Sequence, residues 1–179
     1  MKFELKDGRI VEIVPLSGRI PIRTLRRYIN DLVREDTYII GNEPKTFGEE
    51  KAWRDSMLAG VRNHDALHFC AFSGNRIVAS CEARRGRGRC RHNATLGIAV
   101  SKDFRGVGLG ESLLAYLISE VKSRFRPRNI HLNAFAANAP ALSLYRKLGF
   151  IEVCRFPGWI NYKGAYIDSV EMVLQGRAR

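Results

Sequence analysis

Arg105-Gly106-Val107-Gly108-Leu109-Gly110 lies where a strand gives way to a helix. Upstream, Ala94 to Val100 reads as a strand. Downstream, Glu111 to Phe125 reads as a helix, with Leu113, Leu114, Leu117, Ile118 and Val121 on its buried side. A chain that turns through glycines into a helix bares several backbone N–H groups. Those amides and the helix dipole suit phosphate oxygens, and no side chain holds the phosphate off the backbone. Arg105 adds a charge-assisted contact. Taken alone, the loop is an anion site of some kind or a plain tight turn. The dinucleotide reading is disfavoured, because hairpins precede the loop and no acidic residue follows at the required distance. The Walker-type reading fails for want of a following Gly-Lys-Ser/Thr.

Working outward, Asp7-Gly8 and Gly74-Asn75 are hairpin turns. The first joins Phe3 to Lys6 with Arg9 to Val14; the second joins Leu67 to Ser73 with Arg76 to Ala83. Between the hairpins, Ile22, Leu25, Ile29, Leu32 and Val33 have helical spacing after Pro21. Thr46-Phe-Gly-Glu49 is a capping box that starts a second helix carrying Trp53, Met57, Leu58 and Val61. Past the glycine loop come a strand (Ile130 to Phe135), a helix (Ala139 to Leu148, stopped by Gly149) and strands at Phe150 to Arg155 and Ile167 to Leu174. This order predicts a single α+β domain over 1–179, with a mixed, mostly antiparallel central sheet flanked by helices.

Composition narrows the partners. The chain has 179 residues, 45% hydrophobic and 27% charged, enough for one real core. No stretch approaches the ~20 apolar residues of a membrane span, and Met1 to Lys6 lacks a signal-peptide core. The expected setting is the cytoplasm, with no membrane partner. Cys70, Cys81, Cys90 and Cys154 form no C-x-x-C pair, so no metal site is expected, and they read as free thiols. The net charge of +12 suits a polyanionic partner: nucleic acid, an acidic membrane surface or a phosphorylated cofactor.

About thirty residues after the glycine loop stands Asn133-Ala-Phe-Ala-Ala-Asn138-Ala-Pro-Ala-Leu-Ser-Leu-Tyr145-Arg-Lys-Leu-Gly-Phe150. Arg-Gly-x-Gly-x-Gly after a strand, paired with Asn-x-x-Ala-x-x-Leu-Tyr-x-x-x-Gly-Phe, resembles the GNAT superfamily of N-acetyltransferases. The resemblance runs from Leu67 to Leu174. It implies acetyl-CoA as co-substrate and direct attack of a neutral amine on the thioester. It further implies that the backbone at Ile98 and Val100 pairs with the pantetheine arm. Amides of Arg105, Gly106, Val107, Gly108 and Gly110 would hold the pyrophosphate. Asn138 would bond the pantetheine, and Tyr145 would protonate the leaving thiolate. Each residue also has a plainer reading. Tyr145 suits a helix core, and Asn138 suits the cap of a helix with an early proline, Pro140.

The base is less defined. Relatives acting on ribosomal-protein N-termini carry glutamate at the position of Asn133, and histone-type relatives near Ala94. Both acids are missing here. Glu82, on a strand, and His92, opening the next, are the remaining candidates, alongside a water route. Arg84-Arg-Gly-Arg-Gly-Arg-Cys-Arg91 is either a solvated loop or an RNA contact, though it lacks interleaved aromatics.

In the superfamily the first two helices wall the acceptor site; here they carry Glu35, Asp36, Glu43, Glu49 and Glu50. Such acids attract amines. Asn161 to Asp168 would face the same cleft. The expected acceptor is a small amine or amino acid derivative, with a protein α-amine or lysine second. A nucleic-acid-binding module on the same fold is the rival of another class, opposed by the intact cofactor motifs. A homodimer is compatible with the sequence.

Overall fold

The computed structural model describes residues 1–176. Its elements run β1 (Lys2–Glu4), β2 (Ile10–Pro15), α1 (Ile22–Arg34), α2 (Phe47–Arg62), β3 (Ala66–Ser73), β4 (Arg76–Arg85), β5 (Asn93–Val100), α3 (Leu109–Arg124), β6 (Asn129–Phe135), α4 (Ala139–Lys147), β7 (Ile151–Tyr162) and β8 (Ala165–Gln175). The strands form one eight-stranded sheet in the order β1-β2-β3-β4-β5-β6-β8-β7. Every neighbouring pair is antiparallel except β5 with β6. The mixed, mostly antiparallel α+β reading therefore stands.

Helices cover both faces, so β3 is buried on both. Leu67, Phe69 and Ala71 point to the larger core with Leu113, Leu114 and Leu117 of α3. Cys70 points to a second core with Leu25, Leu32 and Met57 from α1 and α2. α1 is fixed by the Tyr28 hydroxyl, which donates to the Ala99 carbonyl of β5 at 2.7 Å. The capping box of α2 forms in both directions between Thr46 and Glu49. Buried Asn30 pins the connection before it, exchanging hydrogen bonds with the Lys45 backbone at 2.6 and 3.0 Å.

β5 and β6 pair only from Asn93 to Thr95 with Asn129 to His131. Beyond Thr95 the two parallel strands have no mutual pairing, and the sheet opens between them. The glycine turn lies at the open end of β5.

Element ends shift from the sequence reading by a residue or two in most cases, and by the most in β7. α3 begins at Leu109 rather than Glu111, because Gly108 at φ 89° serves as its N-cap. β7 runs to Tyr162 rather than ending at Arg155. Pro157-Gly158 reads as a strand breaker, but a bulge between Phe156 and Ile160 absorbs both residues. The Gly158 N–H donates to Asp168 Oδ1 at 3.0 Å instead of to the ladder.

Candidate active site

The opened sheet forms the floor of a cleft of about 960 Å³, at the upper end of the ~300–1,000 Å³ usual for small-molecule sites. Ile98, Val100, Arg105, Gly106, Gly108, Gly110, Asn138, Tyr145 and Glu82 all line it.

At one end is the glycine turn. Gly106 and Gly108 have φ of 74° and 89°, a region other residues reach only with strain. No side chain caps the N-terminus of α3, so its first N–H groups lack a side-chain acceptor. Lys6, from beyond β1, also reaches this turn. Its N–H donates to the Val107 carbonyl at 3.1 Å, and its side-chain carbons lie 3.5 Å from where a Cβ on Gly108 would stand. Uncapped amides, glycines and a lysine fit a pyrophosphate. Arg105 is held to one side: its Nε donates to the Val100 carbonyl at 2.9 Å, and its guanidinium bonds Glu35. The Ala99 and Val100 carbonyls are thus already engaged, by Tyr28 and Arg105.

α4 supplies two further groups. Asn138 is its N-cap, with Oδ1 accepting from the Ala141 N–H at 3.3 Å, which leaves the amide nitrogen unused by the cap. Tyr145 lies two turns on, 7% exposed, its ring 6.1 Å from that of Phe150. Burial pushes its hydroxyl up to about 12. The group stays protonated at neutral pH, as an acid must.

At the other end the wall comes from α2, β3 and β4. Glu50 is buried, and burial raises its carboxyl above the usual range, against an opposing pull from Lys45. His68 is buried edge-on against Trp53, ring centroids 5.2 Å apart. Its burial, helped by the charge of Arg84, lowers it to about 4, so it is neutral near pH 7. Glu82 pairs with Gly97 across β4 and β5 and receives a 3.5 Å contact from Arg84. The missing side chain at Gly97 leaves Glu82 facing the floor of the cleft.

The structure separates residues that the sequence grouped. His92 is exposed in the turn before β5, at the closed end of the splay, and does not line the cleft. Its carbonyl accepts from the Arg128 N–H at 2.6 Å. Of the acids on the first two helices and their connection, Glu49 and Glu50 line the cleft. Glu35 holds Arg105, Asp36 holds Lys163 at 3.2 Å, and Glu49 is committed to its cap. The tip between β7 and β8 stands beside the cleft rather than in it. Tyr162 stacks near Tyr38 and Phe135, and its hydroxyl donates to the Asp36 carbonyl at 2.7 Å. Lys6 and His68 escaped the sequence reading: one sits in the turn after a short strand and the other in an apolar run.

The chain matches the model of the Acetyltransferase (GNAT) family over residues 27–150. It is 36% identical over 58 residues to an N-alpha-acetyltransferase of Sulfurisphaera tokodaii, 32% of this chain and 35% of that one. The match therefore spans about a third of that relative's length. The N-terminal acetyltransferase B complex catalytic subunit NAA20 of Arabidopsis thaliana is 28% identical over 152 residues, 83% of each chain. Among solved structures, the putative acetyltransferase yncA of Salmonella typhimurium with its cofactor acetyl-CoA superposes with a TM-score of 0.80 at 18% identity. That superposition covers 94% of this chain and 95% of yncA, and it establishes a common fold.

Proposed function

The chain belongs to the Acetyltransferase (GNAT) family, and on that footing we propose that it transfers an acetyl group from acetyl-CoA to the primary amine of a small amino-acid-like acceptor. One observation carries this reading. The splay of β5 from β6 sets an anion cradle, Asn138 and Tyr145 on one side of a single cleft that also holds Glu50, Glu82 and His68.

Acetyl-CoA supplies an activated thioester. The amides from Gly106 to Gly110, with Lys6, bind its pyrophosphate, and the β6-facing edge of β5 at Ile98 aligns the pantetheine. The amide nitrogen of Asn138 bonds the arm. Glu50 and Glu82 draw in the ammonium form of the acceptor. Glu82, through water, takes the proton that frees the amine to attack the carbonyl carbon. As the C–S bond breaks, Tyr145 gives its proton to the departing sulfur, and the proton lost from the new amide nitrogen passes through water to restore the tyrosine hydroxyl. His68, neutral and packed on Trp53, shapes the wall and carries no charge at pH 7. Of the two bases considered, Glu82 is retained, because His92 lies outside the cleft.

The buried carboxylate of Glu50 in the cleft wall suits a small ammonium-bearing acceptor. A peptide N-terminus is the second reading, favoured by the likeness to NAA20 over 83% of each chain. Thiol release with free amino acids, short peptides and Nα-blocked lysine separates the two. Free amino acids should be the best acceptors; turnover confined to peptides would establish the second reading instead.

A further inference from the structure

The charge excess is not concentrated at the cofactor cradle. None of the arginines in 84–91 or 124–128 lines the cleft. They gather instead at the opposite pole, where β4 ends and α3 passes to β6. Contacts of Arg85 with Phe125 and of Arg128 with His92 join these segments, and a third closes the β4–β5 loop on itself. The Arg85 guanidinium donates to the Phe125 carbonyl at 3.0 Å and stacks over the Phe125 ring at 4.8 Å. The Arg128 N–H donates to the His92 carbonyl, and the Gly86 N–H to the Asn93 carbonyl. The arginine loop is itself compact. Arg87 to Arg91 is a single 3-10 turn, and a Cβ at Gly86 would stand 2.1 Å from the Cys90 carbonyl oxygen. This is a shaped surface, unlike a loose arginine-glycine tail.

Local needs account for part of the charge. Arg91 pairs with Asp65, Arg84 with Glu82, and Arg124 with Glu120 at the C-terminus of α3. Arg87, Arg89, Arg126 and Arg128 are exposed and have no ion pair among the described residues. Concentrating unpaired arginines costs self-repulsion, which a polyanion relieves. Guanidinium forks match phosphate oxygens, and the patch has no exposed aromatic between its arginines on which bases could stack.

We propose that this pole is an RNA-binding surface that grips the phosphate backbone without reading sequence, independently of the acetyl-transfer site. Binding there leaves the cleft, at the other end of β5, open.

The test is fluorescence anisotropy with a labelled single-stranded RNA of about 20 nucleotides over a range of potassium chloride. Wild-type affinity should fall steeply with salt. In the variant Arg87→Gln/Arg89→Gln/Arg126→Gln/Arg128→Gln it should be at least about tenfold weaker, with the log–log salt slope reduced by about 3. Acetyl-CoA binding should be unchanged, which also reports folding. Should the fourfold variant fail to fold, Arg87→Gln/Arg89→Gln alone should cut the slope by about 1.4. A flat wild-type salt dependence overturns the proposal, as does equal RNA binding by a folded variant. Tighter binding to phosphatidylserine vesicles than to RNA at the same salt overturns the choice of partner.

Discussion

Lys6 lies across Gly108: its Cγ and Cε are each 3.5 Å from where a Cβ on that glycine would stand, and its backbone N–H anchors to Val107. A turn residue about 100 positions away in sequence thus brings a cation to the mouth of the α3 N-terminus. Lys6→Gln should weaken acetyl-CoA binding about three- to tenfold, as expected for one exposed charge-assisted contact. It should also flatten the salt dependence of that binding, while kcat changes little. Calorimetry at two salt concentrations checks this; unchanged affinity would remove Lys6 from the cradle.

Tyr145 is buried with its hydroxyl held protonated. Tyr145→Phe keeps the ring and the packing against Phe150 but removes the acid. Turnover should drop by about 10²-fold or more, with acetyl-CoA affinity close to wild type. Equal turnover would return Tyr145 to a purely structural role.

Glu82 and His92 separate on geometry. Glu82→Gln should lower kcat by about 10²-fold, with acetyl-CoA affinity unchanged. His92→Ala, altering an exposed turn outside the cleft, should match wild type at every pH. Unaltered kcat in Glu82→Gln would leave proton removal to water alone.

His68 makes stability depend on pH. Its folded value of about 4 lies below the unfolded value of 6.5. Between these, the unfolded chain holds a proton that the folded chain refuses, so stability falls as pH drops through that window and is fully present above it. From pH 7 to pH 5 the loss from this one group should be about 2 kcal/mol. His68→Gln should lose correspondingly less in urea unfolding at the two pH values. Parallel losses would show that His68 titrates normally.

Local signals predicted local features well. Thr46 and Glu49 form the box their spacing announces, Asn138 caps α4 ahead of Pro140, and Asp7-Gly8 turns the first hairpin. Each depends on residues within a few positions of one another. Features set by tertiary approach were hidden. An apolar stretch such as Leu67 to Ser73 marks His68 as ordinary core; only the placement of Trp53 makes it a cleft wall. Charge in the first helices was visible, but not its distribution, since Glu35 and Asp36 are spent on Arg105 and Lys163. Pro157-Gly158 carries a real breaker signal, and its absorption into a bulge depends on the partner strand β8.

The most direct test of the cleft as an acetyl-transfer site is a calorimetric titration with acetyl-CoA, followed in the same sample by thiol detection after amine addition. One-to-one binding and thiol release that requires an amine are expected. No binding of acetyl-CoA, or release that proceeds equally without amine, would contradict the assignment.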